Sequence, residues 1–316
     1  IDMSDPYVTF HSKYMESVWW IIKEIYSKNL IYKGYTVQPY SPAAGSGLSS
    51  HELNQPGAYK EISDTSIVAQ FKCKKEGLSN ELINLYPFYF LAWTTTPWTL
   101  PSNTALTIGK RINYSFIKTY NQYTKDKITV VLATKLVDKI FSKNFFEVKS
   151  EKELNSFDKN QSKIPFLKFH ELLGEDLENI NYERIWDESP LPLDNPENAF
   201  RIISGDFVTT EDGTGIVHTA PTFGADDYKA AKNANPEVPP LQVFDKNGNK
   251  VPIVDLKGKF IEGIGLVSGK YVKNDYYDSN SVPEKSVDVE IAIRLKELNL
   301  AFKVEKYSHS YPHCWR

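Results

Sequence analysis

The sequence predicts an α+β protein that is mostly β, a closed β-barrel with a few peripheral helices. Short runs of β-branched and aromatic residues recur along the chain, and turn signals such as Glu211-Asp212-Gly213 and Asn247-Gly248 separate them. Stretches with helical periodicity are fewer and short. Many short strands joined by turns are typical of a barrel. With 316 residues, 41% of them hydrophobic, the chain can bury a full core as one large or two ordinary domains.

The first predicted element is an amphipathic helix over residues 12–30, in which apolar side chains such as Met15 and Trp19 recur at helical spacing. A strand is predicted next, over residues 31–37. Residues 39–47 are rich in proline, glycine and serine, and we expect them to form a flexible connection.

Beyond this connection, strand signals recur while helical signals are sparse. Runs rich in β-branched and aromatic residues predict strands at 67–71, 88–93, 114–119, 128–133, 146–148, 201–203 and 215–219. Apolar residues at helical spacing predict short helices at 135–141, 226–234 and 287–298. The polar stretch 151–163 lacks periodicity and is predicted to be a mobile insertion.

The charge balance limits the classes of partner. The formal net charge is -3, with 37 Lys and Arg against 40 Asp and Glu. This balance argues against a broad basic face for nucleic acid, so any contact with RNA is expected to be local. No apolar run approaches the ~18 residues of a membrane-spanning helix, so no membrane partner is predicted.

The cysteine content argues against a disulfide framework. Cys73 and Cys314 are the only cysteines, and they are too far apart in sequence for a Cys-x-x-Cys zinc site. His309, His313 and Cys314 lie close together, yet no second cluster of ligands accompanies them. The sequence therefore predicts no metal site, and its cysteine usage fits a cytoplasmic location.

The most informative feature is a run of three hydroxyls between two tryptophans. Thr94, Thr95 and Thr96 follow an apolar, aromatic strand that reaches Trp93. Pro97 and a further proline prevent continuation as strand or helix, so the threonines are expected where the strand opens into a constrained loop. Hydroxyls held there can bind a ligand or a water. On its own, the run would favour a Thr-rich β edge followed by a tight turn over a binding site.

A second segment, residues 213–228, joins an apolar strand to a loop that ends at two carboxylates. A helix that begins near Asp226 would place both Asp226 and Asp227 at its N-terminus. Helix capping alone would account for one of them. His218 lies on the strand, where a lone histidine is more often a hydrogen-bonded core residue than a catalytic base.

Together, segments 91–103 and 213–228 resemble the editing domain of isoleucyl-tRNA synthetases, the connective-polypeptide module, of eukaryotic cytosolic type. Segments 14–20 and 309–316 resemble the sequences that flank this insertion in the family, so the resemblance covers nearly the whole chain. Valyl and leucyl enzymes typically carry Thr-Thr-Arg-Pro-Glu-Thr where this chain has Thr-Thr-Thr-Pro-Trp-Thr.

The resemblance implies a role for each site residue. Asp227 matches the aspartate that binds the α-ammonium of the misattached amino acid, a group that calls for a carboxylate. His218 matches a histidine that lines the amino-acid pocket and excludes the larger cognate side chain. The threonine run and Asn103 match positions at the terminal adenosine, the scissile ester and the attacking water. The expected catalytic residues are Thr94, Thr95, Thr96 and Asp227, and the expected substrate-binding residues are Trp93, Asn103, His218, Phe223, Gly224 and Ala225.

The implied reaction is hydrolysis of valine misattached to isoleucine tRNA, after transfer and also before it. One methylene separates the two amino acids and is worth only ~1–3 kcal/mol in a pocket, a limit for which this enzyme family is the standard illustration. No Ser-His-Asp or Cys-His arrangement is evident, so direct attack by an oriented water is expected. The open alternatives are the editing domain of a valyl or leucyl enzyme and a non-catalytic module that binds tRNA 3′ ends.

The resemblance also implies an organisation and a set of partners. Residues 1–45 would be a junction helix and linker from the catalytic domain, 46–300 the editing domain, and 301–316 a return segment. The expected partners are the tRNA 3′ end and the rest of a monomeric synthetase chain. The full-length enzyme would use ATP and Mg, whereas editing needs no cofactor. The His-x-Gly-His and Lys-Met-Ser-Lys-Ser motifs of the synthetic site do not occur here, so this chain is not expected to activate amino acids.

Overall fold

The structure, a computed structural model, describes Ser4 and residues 6–32 and 36–314. The chain divides into two compact units, Ile1–Thr36 and Val37–Arg316. The first unit contains helix α1 (Ser12–Ser27), none of whose residues is buried, which confirms the first predicted helix. The strand predicted over 31–37 includes residues 33–35, which lie outside the described residues, and its other residues form no strand. The predicted domain boundaries at residues 45 and 300 stay predictions.

The second unit is mostly β. Its strands are β1 (Tyr40–Ser41), β2 (Ser46–Gly47), β3 (Tyr59–Lys72), β4 (Tyr89–Thr94), β5 (Ala105–Ile108), β6 (Asn113–Tyr120), β7 (Lys127–Ala133), β8 (Phe145–Glu147), β9 (Ile164–Leu173), β10 (Arg201–Ser204), β11 (Ile216–Thr219), β12 (Val243–Phe244), β13 (Lys250–Val251) and β14 (Ala301–Pro312). Its α-helices are α2 (Ser50–Leu53), α3 (Asn80–Leu85), α4 (Val137–Ile140), α5 (Glu151–Asn155), α6 (Ala225–Asn233) and α7 (Val287–Glu297). Every strand and helix predicted within this unit is present, although β3 begins eight residues earlier than predicted and the helix predicted over 135–141 is a 3₁₀ turn followed by α4.

Strand β4 is the branch point of the main sheet. The second half of β3 pairs antiparallel with the whole length of β4, from Ile67 opposite Thr94 to Lys72 opposite Tyr89. Strands β7 and β11 both run parallel to β4, β7 near its start and β11 at Trp93 near its end. From there the sheet continues through β6, β9 and β8 on one branch and through β5 and β10 on the other, while β14 pairs with β3.

This architecture confirms the prediction of a mostly β protein with additional helices. A closed barrel also requires the end strands of the sheet to pair with each other. Among the described residues, β8 and β10 end the sheet without such a pairing, so barrel closure stays a prediction. No helix in the described part of the chain is long and apolar enough to span a membrane.

Both faces of β4 are buried. Successive side chains of a strand point to opposite faces, and Phe90 and Ala92 belong to the larger hydrophobic core while Leu91 belongs to a second one. Burial on both faces explains why this strand is a continuous apolar run rather than an alternating one. Because Thr94 is in phase with Phe90 and Ala92, it ends the strand on the side of the larger core.

The structure corrects one prediction about an irregular segment and adds a strand pairing near the C-terminal end. The stretch 151–163 was expected to lack structure, yet its first residues form α5, where the Ser150 hydroxyl accepts the Glu153 N–H and Leu154 is fully buried. Residues 301–312, which belong to the predicted return segment, form β14 and pair with nearly the whole of β3, a pairing that the sequence did not predict. Pairing between strands so far apart in sequence leaves no local signal.

The hydroxyl of Tyr114 on β6 connects the loop after β5 to the loop before β11. Tyr114 lies on β6 and is fully buried, and its hydroxyl oxygen accepts the Gly109 N–H at 3.0 Å. The same hydroxyl donates to the Gly215 carbonyl oxygen at 2.7 Å. One side chain thus satisfies backbone groups from two separate loops.

We expect Tyr114→Phe to lower the free energy of unfolding by ~1–3 kcal/mol, because a buried N–H and a buried carbonyl both lose their partner. Urea denaturation followed by circular dichroism measures this change. Tyr59→Phe is the matched control, since Tyr59 is 52% exposed and its hydroxyl has no hydrogen bond within the described residues. An unchanged midpoint for Tyr114→Phe would contradict the role of the hydroxyl.

Candidate functional site

A cavity of about 460 Å³ lies where β4 and β11 end. This volume is within the range of small-molecule sites in proteins. Both sequence motifs contribute to its wall, through residues 93–96, 98 and 99 from the first and 213–218, 220, 223, 224 and 227 from the second.

Parallel pairing of β4 and β11 brings the two motifs together. Trp93 lies opposite Val217, so both strands point their carboxyl ends toward the same edge of the sheet. The threonine run therefore leaves β4 beside the point where His218 occupies β11. This edge is where ligands commonly bind in sheets that contain parallel strands.

The threonine run is ordered by its own hydrogen bonds. The Thr94 hydroxyl oxygen accepts the Thr96 N–H at 3.0 Å and lies 3.3 Å from the Thr96 hydroxyl. Within the described part of the chain, the Thr95 hydroxyl has no hydrogen-bond partner, and Thr95 is half-buried. Residues Pro97–Ser102 form a 3₁₀ helix, which corrects the expectation of a loop, since proline is well tolerated in the first turn of a helix.

The orientation of the buried Asn103 amide fixes the tautomer of His218. Asn103 Nδ2 lies 2.8 Å from the carbonyl oxygen of Ala105, which can only accept, so the amide nitrogen must face this side. The same nitrogen donates to His218 Nδ1 at 2.8 Å. In the neutral ring the proton then resides on Nε2, which donates to the Thr99 hydroxyl at 3.0 Å.

This chain of hydrogen bonds continues at both ends. Tyr182, which is fully buried, donates its hydroxyl to Asn103 Oδ1 at 2.7 Å. At the other end, the Thr99 hydroxyl donates to the Thr96 carbonyl oxygen at 2.8 Å. The His218 ring is therefore held by partners on both nitrogens and linked to the threonine run.

His218 is neutral at physiological pH. Burial lowers the pKa of His218 to about 3, which outweighs the opposing contribution of its hydrogen bond to Thr99. A general base needs a free nitrogen and a pKa near the working pH. The geometry of His218 fits a fixed wall of the cavity instead.

Asp227 lies in the first turn of α6 and borders the cavity. Its Oδ2 accepts the Ala220 N–H at 2.8 Å, and no cationic side chain pairs with it among the described residues. Burial raises the pKa of Asp227 to about 6, and the neighbouring Asp226 adds to the rise against the opposing hydrogen bond from Ala220. A carboxylate so placed is uncompensated within the fold and available to a cationic ligand.

Two glycines allow the close approaches that this site needs. A Cβ at Gly224, the residue before α6, would come within 2.7 Å of the Asp227 carboxylate. Gly215 has φ of +71°, and a Cβ there would collide with the Ala133 side chain. Both positions therefore exclude larger residues for steric reasons.

The structure does not bring all the predicted residues to the cavity. Asn103 lies behind His218 and is almost fully buried, and Ala225 is exposed at the first position of α6. Neither contributes to the cavity wall. Phe223 does, and its ring packs edge-on against Trp98 with the ring centroids 4.9 Å apart.

Other residues of the site were missed from the sequence. Tyr182 carries no local signal, because it meets Asn103 only through the fold. Tyr311 on β14 lines the cavity, although its segment was interpreted as a flank. Asp212 was interpreted only as part of a turn, yet it borders the cavity and accepts hydrogen bonds from Lys139 and Tyr307, both at 2.7 Å.

No group of three or more His, Cys, Asp or Glu side chains suited to hold a metal ion occurs among residues 6–32 and 36–314. The expectation of a metal-free site stays a prediction.

Comparison with solved structures gives weak matches. GlLeuRS-CP1 has a TM-score of 0.48 and 15% identity, covering 76% of this chain and 99% of that one. The cytosolic leucyl-tRNA synthetase editing domain of P. knowlesi has a TM-score of 0.45 and 10% identity, covering 81% of this chain and 99% of that one.

Comparison with curated sequences gives close relatives. The isoleucine-tRNA ligase of Bacteroides fragilis strain YCH46 is 48% identical over 333 residues, and that of Cytophaga hutchinsonii is 50% identical over 327. Each alignment covers 100% of this chain but 28% of the relative, so the chain spans about 28% of the length of these relatives. They confirm the resemblance to isoleucyl-tRNA synthetases. Both are bacterial, so they give no support to the expected eukaryotic type.

The family model described as tRNA synthetases class I (I, L, M and V) matches residues 1–235, which is most of the chain. Isoleucine-tRNA ligases align over its full length. The chain therefore belongs to the class I tRNA synthetase family.

Proposed function

We propose that this chain is an editing hydrolase that cleaves the ester of valine misattached to isoleucine tRNA. The observation that carries the proposal is the Asp227 carboxylate, which borders the cavity without a cationic partner among the described residues. On the same cavity wall, the threonine run supplies hydroxyls from the end of β4.

The free α-ammonium is what distinguishes an aminoacyl ester from a peptide or an acetyl ester. A carboxylate that is partly removed from water and has one N–H partner gains most from a charged donor. Asp227 Oδ2 already accepts the Ala220 N–H, which leaves Oδ1 for the ammonium. This contact would orient the ester toward the threonine hydroxyls.

Hydrolysis by direct attack of water needs orientation more than a strong base, because an ester is already reactive. The Thr95 hydroxyl, which no described residue engages, is suited to bind the attacking water or the ester oxygen. Thr94 and Thr96 hold this part of the chain in place through their mutual bonds. Positioning and hydroxyl donors at the developing oxyanion then lower the barrier. A free ribose hydroxyl of the terminal adenosine would assist proton transfer.

Selection against isoleucine would come from the wall around His218. Both nitrogens of this ring are engaged, so the ring cannot rotate without breaking two buried hydrogen bonds. A wall held so firmly rejects an extra methylene by its volume, because packed interiors deform little. Editing by size requires such a rigid wall, because the second site must admit valine and exclude isoleucine.

The remaining expectations belong to the same proposal. The partners would be the tRNA 3′ end and the rest of a longer synthetase chain, acting as a monomer in the cytoplasm. The hydrolysis itself would need no cofactor, and valyl adenylate formed before transfer would be a further substrate. ATP and Mg would serve the synthetic site elsewhere in the longer chain.

Deacylation assays test the proposal directly. This chain is incubated with isoleucine tRNA charged with valine or with isoleucine, and loss of each ester is followed over time. Selective loss of the valyl ester supports the proposal. Binding of the tRNA 3′ end without hydrolysis would instead indicate a non-catalytic module, and preference for mischarged valine or leucine tRNA would indicate a valyl or leucyl editing domain.

We expect Asp227→Asn to lower kcat/KM for valyl-tRNA deacylation about tenfold to a hundredfold, because a charge-assisted contact is worth ~1.5–3 kcal/mol. Asp226→Asn is the matched control, since Asp226 is the adjacent carboxylate and is exposed. Equal losses in the two variants would contradict a specific role for Asp227.

The raised pKa of Asp227 predicts two opposite pH dependences. Deacylation by the wild type is expected to rise about tenfold between pH 5 and 7 with a midpoint near 6, since the ionised form binds the ammonium. Stability behaves in the reverse sense, because the folded state holds this proton more tightly than the unfolded chain. The contribution of protonated Asp227 to the free energy of unfolding is fully present below pH about 4 and is lost as the pH rises through 6.

Thermal unfolding of Asp227→Asn checks the second dependence. A pKa near 6 against 3.8 in the unfolded chain corresponds to about 3 kcal/mol at neutral pH. The variant should therefore unfold at a higher temperature than the wild type at pH 7.5 and at nearly the same temperature at pH 4. A lower unfolding temperature at pH 7.5 would contradict the uncompensated carboxylate.

We expect His218→Ala to change selectivity more than rate, because the ring acts by its volume. The ratio of isoleucyl to valyl ester hydrolysis should rise about tenfold, the worth of roughly one methylene. His51→Ala is the control, since His51 is an exposed histidine of α2. If both esters are cleaved more slowly by the same factor, His218 takes part in the chemistry and the volume argument fails.

A further inference from the structure

A cluster of charged side chains lies near the wall of the candidate site, where α7 packs against the 3₁₀ helix. Asp288 on α7 is 3% exposed, and its Oδ2 lies 3.2 Å from Lys273 Nζ. Lys273 also pairs with Asp64 on β3, at 3.0 Å. The other oxygen of Asp64 lies 3.2 Å from His309 on β14. Two strands and one helix of the second unit thus meet in a cluster around Lys273, whose side chain is 18% exposed.

A hydrogen bond joins this cluster to the site. Asp288 Oδ1 accepts the backbone N–H of Trp98 at 2.9 Å. Trp98 precedes the first hydrogen bond inside the 3₁₀ helix, so its N–H has no partner within that helix. Asp288 supplies that partner from a residue 190 positions away.

The hydrogen bond to the Trp98 N–H holds a residue that contacts two parts of the cavity wall. The Trp98 ring packs against Phe223, whose own segment leads to Asp227. The next residue, Thr99, receives the hydrogen bond of His218 and donates to Thr96. A shift of Trp98 would therefore move both the threonine run and the residues that face the amino-acid side chain.

Packing alone does not account for this cluster. A buried ion pair can often be replaced by apolar side chains of similar volume without loss of stability. Burial alone would lower the pKa of Lys273, yet the carboxylates of Asp288 and Asp64 raise it above its ordinary value, so the cation stays charged. What an apolar pair could not provide is the acceptor for the Trp98 N–H.

We propose that Asp288 is a positioning residue of the editing site, which holds Trp98 and Thr99 in place through the Trp98 N–H while Lys273 and Asp64 hold Asp288. Its effect on catalysis rests on the proposed function. Its effect on the local structure does not, and the two are measured separately.

Hydrogen exchange measures the structural part without any substrate. In Asp288→Ala the backbone N–H groups within residues 94–103, all but the two prolines, should exchange at least about tenfold faster than in the wild type, because this variant frees the Trp98 N–H. Asp288→Asn keeps an acceptor oxygen and should restore most of the protection. Glu290→Ala is the matched control, since Glu290 lies on the same helix and pairs with Lys270 at 2.7 Å. It should leave these amides unchanged.

Steady-state deacylation measures the catalytic part. Asp288→Ala should lower kcat for the valyl ester about tenfold with KM changed less than about threefold, because substrate still binds while the hydroxyls are misplaced. Asp288→Asn should recover kcat to within about threefold of the wild type. Glu290→Ala should match the wild type in both parameters.

A double variant guards against unfolding of Asp288→Ala. Lys273→Met with Asp288→Leu removes the acceptor without leaving an unpaired charge at these two positions, and it should show the same faster exchange and lower kcat. Unchanged exchange of residues 94–103 in a folded variant that lacks the acceptor would overturn the proposal, and so would equal effects of Asp288→Ala and Glu290→Ala. Faster exchange in a chain whose wild type shows no deacylation would support the positioning role and contradict only the proposed function.

Discussion

The candidate site depends on β4 being paired along both edges and buried on both faces. Strand β3 fixes one edge over the full length of β4, while β7 and β11 share the other. If the register of β4 shifted by one residue, each of its side chains would move from one hydrophobic core to the other. The end of β4 is therefore fixed, and the hydroxyls that follow it lie on a rigid support rather than on a mobile loop.

Local signals were sufficient for seven strands of the main sheet, for three helices of the second unit and for the two motif segments, but not for the long strands β9 and β14. The apolar run up to Trp93 predicted β4, and the loop that ends at Asp227 predicted the start of α6. The sequence could not show that Asn103 lies behind His218, nor that Tyr182 and Asp288 complete the surroundings of the site. Those contacts join residues 79, 115 and 190 positions apart, and such pairs become neighbours only when the sheet and α7 assemble.

The 3₁₀ helix shows a different limit of sequence-based inference. Two prolines indicated a loop because proline interrupts regular hydrogen bonding. In the structure the first proline begins the helix, where its missing N–H has no consequence, and the next N–H is satisfied by a distant carboxylate. Proline does remove a backbone hydrogen bond, as the rule says. The rule considers only local sequence, however, so it could not include Asp288 of α7 as the acceptor for Trp98.

Two polar side chains of the cavity wall differ in how many hydrogen-bond partners the fold gives them. His218 has a partner on each nitrogen, whereas Asp227 relies on one backbone N–H. Proteins keep such uncompensated groups where function requires them and obtain their stability elsewhere, here from two extensive cores.

The pairing of β3 with β14 has a consequence for how the chain folds. Tyr59 lies opposite Pro312, so nearly the whole second unit must be synthesised before this ladder can close. Contacts of such long sequence separation form slowly, because the entropy of closing the loop is lost before the pairing compensates for it. Until then, the 14 residues of β3 present an open edge to neighbouring chains, and open edges promote aggregation. By pairing with this edge of β3, β14 thus protects it from pairing with another chain.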